Sequence, residues 1–137
     1  MQSNISDLPH TVPPDFPSHW QTWIGPILNE HEQIHAWLET DLDGQLNFSS
    51  GLVVITTHRI FSRMANDENW QVWPCRQDMK LTYQDHAGVC SIELSDTHAQ
   101  LACWHCTLGR HPAVDQLITH FSRLITAHDA ATELTGS

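Results

Sequence analysis

The sequence predicts a mainly β, α+β domain: about seven short antiparallel strands in a partly open barrel or roll, closed by one C-terminal amphipathic helix. Three observations lead there. Between residues 32 and 108, apolar side chains recur at every second position, in short runs divided by turn residues. Beyond residue 110 they recur once at helical spacing. A chain of 137 residues, 40% hydrophobic with six Trp, has the size and composition of one globular domain.

Residues 1–18 are expected to form a Pro-rich tail, because Pro9, Pro13, Pro14 and Pro17 block regular pairing. A single domain then spans 19–128, with a frayed end over 129–137. Trp20, Trp23, Ile24, Ile27 and Leu28 have helical spacing that Gly25-Pro26 interrupts, so a short helix or two turns is expected. In "QIHAWLETDL", Ile34, Ala36, Leu38, Thr40 and Leu42 face one way and His35, Trp37, Glu39 and Asp41 the other. That is a strand with one mainly apolar face. Asp43-Gly44 signals a hairpin turn. "QLNFS" reads as a second strand, Ser49-Ser50-Gly51 as a further turn, and "GLVVITTHRIFSRM" as a β-branched, aromatic third strand. After a polar turn at 65–69, "WQVWPC" is a fourth strand stopped at Pro74, which cannot donate to a ladder. "MKLTYQD", "VCSIELSD" and "AQLACWHCTL" supply the fifth, sixth and seventh. Val114, Leu117, Ile118, Phe121, Leu124 and Ile125 then mark the closing helix, with Pro112 near its first turn.

Six Lys+Arg against sixteen Asp+Glu give a formal net charge of −10. Such a surface repels phosphate, which argues against nucleic acid and against direct binding to anionic lipid. No apolar run approaches the roughly 20 residues of a membrane span. The start "MQSNISDLPH" lacks the basic and apolar regions of a secretory signal. The expected compartment is the cytoplasm, with Cys75, Cys90, Cys103 and Cys106 as reduced thiols.

Two resemblances sharpen this. In "GLVVITTHRIFSR", Gly51, Val53, Ile55, Thr56 or Thr57, Arg59 and Ile60 follow the pattern of bacterial PH-like, GRAM-like domains. "HAWLETDLDGQLNFSSGLVVITTHRI", "WQVWP", "DHAGVCSIEL" and "LACWHCTLG" together resemble the N-terminal region that precedes the membrane domain in some bacterial ABC exporter-type ATP-binding/permease proteins, over roughly residues 30–127. The resemblance implies an accessory domain that contacts proteins, its partner being another protein or the rest of a transporter. These residues contain no GxxxxGK[ST] phosphate loop, so ATPase chemistry is not assigned to them.

Cys103 and Cys106 flank Trp104 and His105 in a CxxC spacing that suggests a thiol- or metal-dependent enzyme using Cys103, His105 and Cys106. On a strand, however, residues three apart point to opposite faces, and buried structural thiols are the expectation. His31 and His35 lack a third convergent ligand. Neither a metal nor a cofactor is predicted. An inositol-phosphate site would need a basic first hairpin, and "ETDLDGQ" is acidic. Trp37, Glu39, Asp41, Trp70 and Trp73 remain as an aromatic and acidic interaction surface, unless the Trp rings pack beneath "HWQTWIGPIL".

Overall fold

The structure, a computed structural model, describes residues 12–136. Helix α1 (Ser18–Ile24) runs into a 3-10 turn at Gly25–Ile27. Seven strands follow: β1 (Ile34–Leu42), β2 (Phe48–Thr56), β3 (Arg59–Met64), β4 (Gln71–Pro74), β5 (Lys80–His86), β6 (Val89–Ser95) and β7 (Gln100–Thr107). Helix α2 (His111–Gly136) completes the chain. The mainly β architecture with a C-terminal helix is the one the periodicities predict.

The strands form one antiparallel sheet in the order β4-β3-β2-β1-β7-β6-β5. It consists of two meanders, β1–β4 and β5–β7, joined where β1 meets β7. β4 and β5 are consecutive in the chain yet lie at opposite edges. In a flat sheet those edges would stand about 29 Å apart. Fully extended, the connection 75–79 reaches about 22 Å at most. The sheet must therefore curl, and the curl creates the interior that α2 covers.

That interior is the larger core. Leu38, Val53, Ile55, Ile60, Ile92 and Leu94 meet Val114, Leu117 and Phe121 of α2 there. A second core lies on the outer face of the first meander. There α1 and the segment before it lay Phe16, Trp20, Ile24 and Leu28 over Leu52, Val54 and Phe61. β2 is sandwiched between the two, and its residues 51–56 are all buried. A strand covered on both faces is what a continuous apolar run such as "LVVI" encodes.

Three expectations need correction. The chain does not turn at Ser49–Gly51; β2 runs straight through it, and the turn falls at Thr57-His58. Gly51 is present for a different reason. It lies between Thr40 and Met64 in the ladder, and a Cβ there would come 2.5 Å from Thr40 Oγ1 and 2.6 Å from Met64 Sδ. The glycine permits close approach of side chains from both neighbouring strands. Second, the predicted tail lies outside the described residues as far as Thr11, but Phe16 is 2% exposed and belongs to the outer core. Third, helical backbone continues to Gly136 where a frayed end was expected. The apolar face of β1 also breaks once: a register shift between Ile34 and Ala36 sends Ile34 to the outer core and Ala36 to the inner one.

Candidate functional site

The five residues expected to form an interaction surface do not come together. Trp37 packs edge-on against Phe16, ring centroids 5.2 Å apart. Trp70 meets Trp20 at 6.1 Å and Phe61 at 6.2 Å. Both rings help bury the N-terminal segment. Trp73 points the other way, onto Trp104 at 5.8 Å beside the inner core. Glu39 faces His19, with Nε2 to Oε2 at 3.4 Å.

Asp41 fastens the seam between the meanders. β1 and β7 share a single register pair, Leu42 opposite His105. Asp41 supplements it by accepting the Thr107 N–H at 2.8 Å and the Thr107 hydroxyl at 2.6 Å. Burial pushes the Asp41 carboxyl up, but these bonds and the Arg110 charge outweigh it and hold the carboxyl below its usual value.

The proposed thiol triad is also dispersed. Cys106 is buried in the inner core while Cys103 is half-buried on the outer face. Only Cys103 and His105 share a face, with Sγ to Nε2 at 3.9 Å. They border a cavity of about 270 Å³, alongside Ser62, Arg63 and Asp67. Burial and the Glu93 charge raise the Cys103 thiol, the opposite of what a nucleophilic cysteine requires. Among the described residues, no group of three or more His, Cys, Asp or Glu side chains is placed to hold a metal ion.

The Thr–x–x–Arg pattern has a structural explanation. The Arg59 guanidinium forks onto the fully buried Glu32 carboxylate and donates to the Ile27 carbonyl at 2.9 Å. The Thr56 hydroxyl donates to Glu32 and accepts the Arg59 N–H at 3.1 Å. Burial alone would raise the Glu32 carboxyl; the Arg59 and Thr56 hydrogen bonds reverse that and hold it low. The network straps the 3-10 turn after α1 to the start of β3. Glu32 had no periodicity to mark it in the sequence.

A different surface is left open. β5 ends the sheet and pairs with β6 alone. Of its seven residues only Leu81 is buried. Between β5 and α2 runs a cleft of about 300 Å³, floored by Met79, Leu81, Phe121 and Ile125 and rimmed by Ser122 and Thr126. Tyr83 and Asp85 lie further along the same face of β5. There His111 stacks edge-on against Tyr83 at 5.2 Å and stands 3.6 Å from Asp85 and 3.4 Å from Asp115. The cleft itself is mainly apolar with Lys80 at its edge, and the Asp85 and Asp115 carboxylates lie beyond it, around His111. "MKLTYQD" reads in sequence as an ordinary strand, because which strand ends the sheet is a long-range property.

No helix among the described residues is long and apolar enough to cross a membrane. No protein-family model matches the chain, and neither a curated protein nor a solved structure matches it.

Proposed function

We propose that this chain is a non-catalytic PH-like domain that holds a protein partner by adding an extended segment of it to the free edge of β5. We further propose that it serves as a cytoplasmic accessory domain of an ABC exporter-type ATP-binding/permease protein. The observation that carries the binding role is the β5 edge itself, unpaired on one side and exposed over six of its seven residues. Such an edge presents alternate N–H and C=O groups to any extended chain. The cleft beside it supplies side-chain selectivity.

The occupant is an extended, basic segment. An apolar side chain fits over Leu81 and Phe121, and a Lys or Arg competes with His111 for Asp85 and Asp115. The net charge of −10 steers the same kind of partner. Two antiparallel meanders closed by a C-terminal helix are the arrangement a PH-like domain implies, which supports that part of the reading. The exporter attachment rests on the sequence resemblance.

A lipid headgroup is less favoured because the sheet's arginines are engaged. Arg59 is paired with Glu32, Arg76 with Asp78 and Asp96, and Arg63 is stacked 4.2 Å over Trp23. Selection from a random-peptide display library tests the proposal. Enriched peptides should carry Lys or Arg beside an apolar residue. Alternate residues of an edge strand aim their N–H outward, so one of Thr82→Pro and Tyr83→Pro removes an edge donor while sparing the β6 ladder. That variant should keep its fold and lose the peptide. Undiminished binding by a folded edge variant, or salt-sensitive binding to phosphatidylserine vesicles in place of peptides, would overturn the proposal.

A further inference from the structure

The CxxC spacing draws attention to Cys103 and Cys106, but the ladder brings a different pair together. Cys90 of β6 stands directly opposite Cys106 of β7. Both side chains are 0% exposed and both point into the inner core. Directly opposed antiparallel residues have Cα atoms about 4.5 or 5.5 Å apart. Either spacing lies within the roughly 4.4–6.8 Å that a disulfide requires, and side chains opposed on one face converge. Cys103 instead faces Glu93 from the other side of the sheet.

We infer that Cys90 and Cys106 are a reversible dithiol, closed to a disulfide by a hydroperoxide and reopened by a thiol reductant. The step balances as a two-electron oxidation. The Cys106 thiolate attacks a peroxide oxygen, the O–O bond breaks, and water or an alcohol leaves, giving a sulfenic acid on Cys106. The Cys90 sulfur then attacks that sulfur. An S–S bond forms, the S–O bond breaks, and the departing hydroxide takes the Cys90 proton as water.

The surroundings set the order of attack and the rate. Burial raises both thiols, Cys90 to about 12. At Cys106 the hydrogen bond from Cys90 and the Arg110 charge oppose burial, and the Asp41 and Asp85 charges add to it. Asp85, opposite Cys90 on β5, holds that thiol in its protonated form. The Cys90 hydrogen bond and the Arg110 charge at Cys106 favour it as the attacking sulfur of the coupled pair. Access is restricted: Cys90–Cys106 is the second pair from the end of the ladder, after Val89–Thr107, and that end is held by the β5–β6 turn and by the Asp41 bonds to Thr107, so peroxide reaches the pair only when the ladder opens locally. The pair is thus slow to oxidise in the closed fold.

Peptide mapping of the full chain after hydrogen peroxide treatment and alkylation, without reductant, tests the inference. The expected product is a peptide linked through Cys90 and Cys106, with Cys75 and Cys103 alkylated, that dithiothreitol separates into its two halves. Closure should raise Tm by about 5–10 °C. Cys103→Ser should retain the link and Cys106→Ser should lose it. Should Cys106→Ser not fold, the map of the unaltered chain still decides. A link between Cys103 and Cys106, or oxidation to sulfinic and sulfonic acids with no 90–106 link, would overturn the inference.

Discussion

The two meanders of the sheet are finished differently. β1–β4 is apolar on both faces, with the inner core on one side and α1 strapped over the other. β5–β7 is apolar on its inner face only. Its outer face is mainly polar, carrying Thr82, Gln84, His86, Ser91, Glu93 and His105 with Val89 and Cys103 among them, and it ends in an edge strand with one buried side chain. Both meanders share α2 and the inner core, so the difference is confined to what lies outside. A face closed by its own chain serves stability. A face and edge left open are available to a partner, and sheet edges exposed over this length are otherwise managed by covering or charge.

The largest effects should come from the closed half and the shared core. Glu32→Ala strands Arg59 and Thr56 and should cost about 3–5 kcal/mol in urea unfolding. An equal loss is expected for Phe121→Ala, which removes the α2 ring from the inner core. If Glu32→Ala unfolds at an unchanged midpoint, the strap is not what holds α1. Gly51→Val comes next, at about 1–3 kcal/mol, because Thr40 and Met64 already occupy the space. Tyr83→Ala is at the other extreme. Tyr83 is 36% exposed, so the variant should stay within about 0.5 kcal/mol of the parent while weakening any peptide held at β5.

Stability should fall at both ends of the pH scale. The Glu32 carboxyl lies below its ordinary 4.5 in the folded chain. Its contribution is therefore complete above about pH 4.5 and is lost as pH falls through the lowered value. Cys75 and Cys90 are raised from 9.0 to about 11 and about 12. The unfolded thiols ionise first, so their contribution is complete below about pH 9 and is lost as pH rises toward the folded values. Urea midpoints measured from pH 3 to pH 10.5 should show a plateau with two falling limbs. Glu32→Gln should flatten the acid limb alone, and Cys90→Ala should reduce the alkaline one.

Much of this was legible in the sequence, and particular residues show where legibility stops. The alternation from Ile34 to Leu42 and the stripe from Val114 to Ile125 gave the strand and the helix, because both depend on local period. Gly51 was misleading because a glycine that turns the chain and one that admits a neighbour look alike in sequence. Ile34 changed sides through a register shift that no pattern announces. Trp37 and Trp70 pack under the N-terminal segment, the alternative that the apolar run "HWQTWIGPIL" left open and that only the fold decides. The contrast between Cys90–Cys106 and Cys103–Cys106 needs the register of two strands, a long-range fact. Glu32 and Arg59 are 27 residues apart, and only the folded chain joins them.

The open half is tested most directly by an amide-resolved NMR titration of the full chain with the tightest peptide from the display selection. The account predicts shifts concentrated in Lys80–His86 and in α2 around residues 118–126, with β2 and β3 unmoved. Perturbations centred on β2, β3 or the β1–β2 hairpin, with β5 silent, would contradict it.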